Sequence, residues 1–285
     1  MAMTWFSSPS DALDRLSATG YLADEATATT AYLAGALEKP VLIEGPAGVG
    51  KTELAKAVAR ANDADLVRLQ CYEGLDEARA LYEWNYKKQL LRIQASDESW
   101  QEAHDEIFSE EFLLTRPLLA AIRRERPTVL LIDEVDKTDV EVEGLLLEVL
   151  SDFQVTIPEL GTITAVRRPF VVLTSNAARE LSEAVKRRCL YLHLDYPVAE
   201  RERAIVTQHV PDLAEGVVAQ LVEVVARLRE LELKKAPSIA ESVDWARTLI
   251  ALQIDSLDAA AIDRTLGVVL KHVSDQNRAR RELRL

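Results

Sequence analysis

An eight-residue phosphate-binding signature constrains the fold of this chain more than any other feature. Residues 45–52 read Gly-Pro-Ala-Gly-Val-Gly-Lys-Thr and fit the pattern Gly-x-x-x-x-Gly-Lys-Thr. The apolar segment Val41–Ile43 precedes this loop, and the helix-forming segment 53–60 follows it. In that order, backbone amides can face phosphate oxygens, and the helix start adds partial positive charge. The segment therefore predicts a nucleoside triphosphate site; the alternative is a glycine-rich turn with a chance lysine.

Each part of the loop has an expected role. The glycines let the backbone curl tightly enough for its N–H groups to point inward. Lys51 is expected to reach the β- and γ-phosphates, and Thr52 to place its hydroxyl on Mg²⁺. We assign the whole run to cofactor binding: Gly45, Pro46, Ala47, Gly48, Val49, Gly50, Lys51, Thr52 and Glu53.

Two adjacent acids, Asp133 and Glu134, follow the apolar segment Thr128–Ile132. In open α/β sheets, ligands bind at the carboxyl ends of the parallel strands, so a carboxylate there lies at the expected binding site. We predict that Asp133 holds Mg²⁺, commonly through its water shell, and that Glu134 polarises the water that attacks the γ-phosphate. A kinase does not need such a glutamate, so the pair favours a hydrolase. The alternative is a strand that ends in surface acids.

Two later positions complete the predicted catalytic set. Asn176 ends the segment Phe170–Asn176, and its amide can donate and accept at once, which suits a bridge between water and phosphate. Asparagine also commonly starts a turn. Arg187 and Arg188 lie where a helix runs into a strand, and an arginine there can stabilise transition-state charge on a neighbouring subunit's phosphate. Their alternative role is to complement a helix C-terminus.

Short apolar segments alternate with helical sequence through the first two thirds of the chain, which predicts a parallel sheet covered on both faces. The predicted strands are Val41–Ile43, Leu66–Leu69, Val129–Ile132, Phe170–Thr174 and Tyr191–Leu194. After Pro197 the sequence is helical, with long stretches at Glu215–Leu231 and Ile239–Leu252. We expect an α/β domain over 1–197 and an all-helical domain over 198–285, with an insertion, mainly helical, near 74–114.

Net charge, the length of apolar runs and cysteine spacing indicate which partners and which cellular compartment to expect. The net charge of −13 would repel a phosphate backbone, which argues against broad nucleic-acid binding, although Arg278, Arg280, Arg281 and Arg284 could form a local basic patch. No apolar run approaches the roughly 18 residues of a membrane span. Cys71 and Cys189 lack metal-site or disulfide spacing, so we expect a reducing cytoplasm.

Taken in order, residues 45–52, Asp133-Glu134, Asn176 and Arg187-Arg188, followed by a helical lid, resemble the AAA+ ATPases. Within them the chain looks most like the MoxR group. The segments that carry this resemblance are 45–56, 130–137, 146–157 and 174–176. Residues 69–76 and 81–86 are similar to a CoxD-like branch tied to carbon monoxide dehydrogenase maturation.

The resemblance implies a P-loop αβα sandwich with a small helical lid domain, and a ring of copies, usually a hexamer, with ATP between subunits. By position, Arg188 matches the arginine finger that acts across subunits, with Arg187 as the close alternative. Family members also carry an insertion, here near 74–114, and a hairpin, here near 153–166. They typically act as chaperones that mature metalloenzymes, with a von Willebrand factor A-domain protein as partner.

One feature departs from the family pattern. Relatives usually place a sensor 2 arginine at the start of a lid helix, where this chain has Ala240 and Glu241. Arg247 lies farther along that helix. Two other functions stay open from the sequence: a clamp-loader-like AAA+ ATPase acting on nucleic-acid-bound proteins, and a phosphotransferase.

Overall fold

The computed structural model describes residues 4–95 and 106–284. These residues form two compact units. The first unit comprises the described residues up to Glu44 and from Thr52 to His193, and the second comprises Gly45–Lys51 and the described residues from Leu194 onward. Part of the predicted insertion at 74–114, residues 96–105, lies outside the described residues.

A five-stranded sheet forms the centre of the first unit. Its strand order is β2-β5-β8-β1-β9, and all four neighbouring pairs are parallel. This confirms the predicted α/β class, and each of the five predicted strands is present to within a residue or two at its ends. The strands are β1 (Val41–Glu44), β2 (Asp65–Gln70), β5 (Thr128–Asp133), β8 (Phe170–Ser175) and β9 (Leu190–His193).

Burial on both faces explains why the sequences of the central strands β5 and β8 are almost continuously apolar. Every residue of β5 and β8 is buried, as expected for strands covered on both faces. The outer strands β2 and β9 instead mix exposed positions with half-buried ones, and each has one buried residue. Leu130, Ile132 and Leu173 lie in one apolar cluster with side chains from the flanking helices. The carboxyl end of β5 thus places Asp133 in a buried part of the sheet.

Eight helices are described in the first unit. Ser8 and Asp24 cap the first two helices by accepting a backbone N–H, and Gly20 lies between these helices. The helices are α1 (Pro9–Ala18), α2 (Glu25–Leu37), α3 (Lys51–Ala61), α4 (Glu77–Ala80), α5 (Tyr86–Ala95), α6 (Pro117–Arg123), α7 (Val140–Asp152) and α8 (Glu183–Arg188).

Two short antiparallel pairs accompany the main sheet. β3 (Tyr82–Trp84) pairs with β4 (Leu113–Thr115), whereas the sequence predicted mainly helix in this region. The buried Trp84 packs edge-to-face on Phe108 at 5.3 Å, a contact between distant residues that no local pattern reveals. The second pair, β6 (Gln154–Ile157) with β7 (Gly161–Thr164), is a hairpin whose Val155 and Ile157 are buried.

The described part of the second unit from Leu194 onward contains five helices and no strand. They are α9 (Ala199–His209), α10 (Glu215–Glu230), α11 (Ile239–Ala251), α12 (Ala259–Val269) and α13 (Val273–Leu283). Their shared core includes the fully buried Trp245, whose Nε1 donates to Thr265 Oγ1 at 2.8 Å. The helical core also contains a buried ion pair. Arg229 donates to both carboxylate oxygens of Glu202, at 2.5 and 2.8 Å. Two of these helices, α10 and α11, match the long helical stretches that the sequence predicts.

No helix among residues 4–95 and 106–284 combines the length and the apolar character needed to cross a membrane.

Candidate functional site

The predicted phosphate loop, Gly45–Gly50, lies between β1 and α3, which is the local context that its sequence requires. Gly45, Gly48 and Gly50 all have positive φ, at 153°, 76° and 99°. This backbone conformation is one that side chains with a Cβ rarely adopt. Val49 and Lys51 are buried, while Ala47 is exposed at the tip of the loop.

Two of the loop glycines are required by close packing as well as by φ. A Cβ on Gly45 would lie 1.9 Å from the carbonyl oxygen of Leu194. A Cβ on Gly48 would lie 2.4 Å from the Cβ of Ser238, the N-cap residue of α11. The loop therefore packs directly against the start of the helical part of its own unit.

The ammonium of Lys51 turns back on its own loop. Its Nζ donates to the carbonyl oxygens of Gly45 and Pro46, at 2.6 and 2.7 Å. Peptide carbonyls carry no formal charge, so they do not neutralise this buried cation, and an anion bound beside it would be stabilised. The loop thus supplies curled amides and a cation, the groups that a triphosphate binds.

In the first unit, the carboxylate of Asp133 collects three donors. Its Oδ1 accepts from Thr174 Oγ1 at 2.5 Å and from Thr52 Oγ1 at 2.9 Å. Its Oδ2 accepts from Arg68 Nη2 at 2.5 Å. The side chain is only 3% exposed, so these contacts replace water around a buried charge. Thr52, two residues after the loop, is brought to Asp133 by this hydrogen bond.

Glu134 sits beside this cluster with its side chain partly exposed. Its Oε2 accepts from Lys137 Nζ at 2.7 Å and from Gln70 Nε2 at 2.9 Å, and Asn176 Nδ2 lies 3.4 Å from its Oε1. The predicted pair of Glu134 and Asn176 is therefore within reach of one water molecule. The ammonium–carboxylate hydrogen bond with Glu134 raises the pKa of Lys137.

The backbone of Glu134 is unusual. Its φ of 58° and ψ of 48° are left-handed, which for a residue other than glycine costs on the order of 1–3 kcal/mol. The Glu134 N–H donates to Thr174 Oγ1 at 2.9 Å, and this contact helps to hold the turn. Such strain persists where the surroundings fix it, and here it aims the carboxylate toward Gln70 and Asn176.

Asp136 positions Asn176 through the backbone. The buried carboxylate accepts from the N–H groups of Asn176 at 3.1 Å and of Ala178 at 3.0 Å. Asp136 lies within the segment 130–137, which carries the family resemblance, but its sequence position alone predicts no role for it. Two carboxylate bonds to turn amides that are two residues apart hold the end of β8 in place, so Asp136 is a positioning residue for Asn176.

Sequence reasoning also missed Arg68 and Gln70, which contact the two predicted acids. Both lie on β2, and since they are two residues apart their side chains leave the strand on the same face. β2 pairs in register with β5, with Gln70 opposite Asp133. Two polar residues that alternate with apolar ones at the carboxyl end of β2 are the signal that could have identified them.

The remaining predicted residues lie away from this cluster. Glu53 forms ion pairs with Lys56 and Arg60 on the surface of α3, at 3.3 and 2.7 Å. Arg188 bonds Ser151 and donates to the carbonyl oxygen of Ala184 at 2.9 Å. Arg187 at the end of α8 is 80% exposed, with Glu183 at 4.0 Å. Arg187 is therefore exposed, whereas Arg188 is held by contacts within its own unit.

The donor set at Asp133 fits a hard divalent cation. Carboxylate and hydroxyl oxygens are the ligands that Mg²⁺ prefers, and it usually keeps several waters. Among the described residues, no group of three or more His, Cys, Asp or Glu side chains is arranged to hold a metal ion. Asp133 and Thr52 would thus hold Mg²⁺ together with water and substrate oxygens.

Cys71 follows β2 and is buried beside the acidic cluster. Burial, reinforced by the negative charges of Asp133, Asp136 and Glu134, raises the pKa of its thiol to about 12. Its thiol is therefore neutral at physiological pH and a poor nucleophile. Cys71 acts as a small apolar residue here.

Residues 40–189 match the AAA domain (dynein-related subfamily). Among curated proteins, "Chaperone protein ClpB 2" of Parasynechococcus marenigrum is 35% identical over 140 residues, which is 48% of this chain and 13% of that protein. "Gas vesicle ATPase GvpN2" of Halobacterium salinarum is 29% identical over 209 residues, 68% of this chain and 58% of that protein. The chain thus spans only part of the length of these relatives.

Among solved structures, the P216G mutant of Thermotoga maritima RuvB has a TM-score of 0.51 and covers 94% of this chain and 73% of that chain. The two sequences are 16% identical, so the likeness concerns the fold. It confirms the predicted P-loop AAA+ fold, a parallel sheet with helices followed by C-terminal helices.

Replacing Asp136 by Ala should lower the free energy of unfolding by about 2–4 kcal/mol, because two buried hydrogen bonds to a carboxylate are lost. Urea denaturation followed by circular dichroism measures this change. Asp139→Ala is the matched control, since Asp139 is exposed and its side chain makes no capping bond to α7. Equal stability of the two variants would show that Asp136 does not hold the Asn176 turn.

Proposed function

Because this chain belongs to the AAA domain family, in its dynein-related subfamily, we propose that it is a MoxR-type ATPase that couples ATP hydrolysis to remodelling of a client protein. The observation that carries the proposal is the arrangement around β5. Asp133 is tied to Thr52, the last residue of the phosphate signature, at 2.9 Å, and Glu134 and Asn176 lie beside it. This combination of groups serves hydrolysis of a phosphoanhydride.

Separate groups of residues would bind the phosphates, hold Mg²⁺ and activate the attacking water. Amides of residues 45–50 and Lys51 would bind the phosphates, and Thr52 and Asp133 would hold Mg²⁺. When bound, Mg²⁺ neutralises charge that develops on the phosphate oxygens. Glu134 orients the attacking water and accepts its proton, and Asn176 bridges that water and the γ-phosphate.

The hydrogen-bond geometry of Glu134 supports its role as base. Lys137 and Gln70 both donate to Oε2, which leaves Oε1 facing Asn176 at 3.4 Å. One oxygen is thus held by donors, while the other has only a long contact. A carboxylate fixed at one oxygen can present the second to water in a defined direction.

The family resemblance supports a more specific proposal for the branch, the client, the partner and the oligomeric form. We place the chain in the CoxD-like branch of the MoxR group, with a metalloenzyme as the client and a von Willebrand factor A-domain protein as partner. The working form is a homo-oligomeric ring, usually hexameric in such families, in the cytoplasm. Residues 1–197 and 198–285 act as the nucleotide-binding and lid domains.

A clamp-loader-like function is not favoured. The net charge of −13 disfavours a nucleic-acid surface, and the relatives named above are a chaperone and a gas vesicle ATPase. RuvB shares only the fold, and a shared fold does not carry function.

Glu134→Gln should keep ATP binding within a few-fold and lower turnover by about 10²–10⁴, because the amide cannot accept the proton of the attacking water. Release of inorganic phosphate and equilibrium binding of a fluorescent ATP analogue measure the two quantities. Glu141→Gln, an exposed change on α7, controls for charge. Unchanged hydrolysis in Glu134→Gln would remove this residue from its role.

The same variant tests the client-remodelling part of the proposal. Loaded with ATP, it should hold the client-bound state and co-purify with the proposed von Willebrand factor A-domain partner and the metalloenzyme client. Lys51→Ala, which lacks the phosphate-binding cation, should not. Equal recovery with both variants would show that capture does not depend on ATP.

Arg188→Ala should lower turnover by 10³-fold or more, the range for a lost arginine finger, without weakening ATP binding to one subunit. Arg187→Ala is its natural comparison, because it removes the neighbouring, more exposed guanidinium. Steady-state hydrolysis at saturating ATP and protein concentration measures both. If Arg188→Ala keeps the full rate and Arg187→Ala does not, the finger is Arg187.

A further inference from the structure

We propose that Arg68 is a built-in counter-ion of Asp133 that Mg²⁺ must displace, so that Arg68 sets the Mg²⁺ concentration at which this chain takes up ATP. The inference rests on the proposed function, since it concerns how the same site is loaded. It assigns a role to a residue that lies outside the phosphate signature and the acidic pair.

The contacts of Asp133 divide between its two oxygens. Hydroxyls of Thr52 and Thr174 donate to Oδ1, whereas Oδ2 takes the guanidinium of Arg68 at 2.5 Å. Hydroxyls leave the carboxylate charge uncompensated, and the ion pair with Arg68 compensates it. The guanidinium thus occupies the oxygen of Asp133 that the threonines leave open.

Arg68 and Mg²⁺ compete for one charge. A dication held by Asp133, directly or through water, would meet the positive guanidinium at close range. The buried carboxylate cannot satisfy both, so loading of Mg²⁺ requires Arg68 to move away or to share the site at a cost. An arginine stays charged at every physiological pH, so this competition depends on Mg²⁺ and not on protonation.

The position of Arg68 lets it leave. It lies on β2, an outer strand of the sheet, and its side chain is 48% exposed, while that of Asp133 is 3% exposed. Its Nη2 also contacts Oε1 of Gln70, two residues along the same strand face. Once displaced, the guanidinium therefore keeps a polar neighbour and water, and ion pairs exposed on one side contribute little net stability.

The other end of the same strand provides a matched control. Arg124 pairs with Asp65, the first residue of β2, at 2.5 Å, and its side chain is 45% exposed. In both pairs a roughly half-exposed arginine lies 2.5 Å from an acid and one partner is on β2, but only Arg68 contacts an acid of the predicted site. A general effect of removing one surface cation would appear equally in both variants.

The test is equilibrium binding of a fluorescent, slowly hydrolysed ATP analogue, titrated with Mg²⁺ at a fixed nucleotide concentration. Arg68→Gln should lower the half-saturating Mg²⁺ concentration by about two- to fivefold, the range for losing a partly exposed ion pair. Arg124→Gln should match the wild type, and Arg68→Lys, which keeps the charge, should lie closer to wild type than Arg68→Gln. Circular dichroism and urea denaturation establish that each variant is folded.

An unchanged or raised half-saturating Mg²⁺ concentration in folded Arg68→Gln would overturn the inference. A raised concentration would show that Arg68 helps Asp133 to bind Mg²⁺ instead of competing with it. Equal shifts in Arg68→Gln and Arg68→Lys would show that charge is not the cause. If the wild-type chain binds no nucleotide at any Mg²⁺ concentration, the proposed function fails, and this inference fails with it.

Discussion

The buried carboxylate of Asp133 is the group on which the described site depends. It binds Thr52 at the start of α3, Thr174 near the end of β8 and Arg68 on β2. Three separate elements are therefore fixed to the carboxyl end of β5 by one side chain. A charge that is 3% exposed would be very costly without such partners, so its contacts and the local fold specify each other.

The helical unit has its own polar anchor, which holds the start of α11. Arg229 donates to both oxygens of Glu202 and to the carbonyl oxygen of Pro237 at 2.9 Å, and it stacks over the ring of Tyr196 at 4.4 Å. Ser238 then caps α11 in a capping box with Glu241 and lies against Gly48. Glu241, at the expected place of a sensor 2 arginine, is thus used for helix capping, and Arg247 pairs with Asp244 at 3.3 Å.

Local patterns predicted most of the fold. The apolar runs at β1, β5 and β8 and the glycine spacing at 45–50 are properties of neighbouring residues, and the structure contains them with nearly the same bounds. The β3–β4 pair was not predicted, because strands about 30 residues apart pair through tertiary contacts such as Trp84 with Phe108. For the same reason the sequence identified Asp133, Glu134 and Asn176 but not Arg68, Gln70 or Asp136. Those three act through register and turn geometry that no motif records.

The central proposal is that Asp133 supplies the charged protein ligand, beside the hydroxyl of Thr52, through which Mg²⁺ promotes ATP binding. Isothermal titration of ATP into wild type and Asp133→Asn, each with Mg²⁺ and with EDTA, tests it most directly. We predict that Mg²⁺ strengthens binding to the wild type, and that folded Asp133→Asn binds with the same affinity in Mg²⁺ as in EDTA. A variant that keeps the full gain from Mg²⁺ would contradict the account.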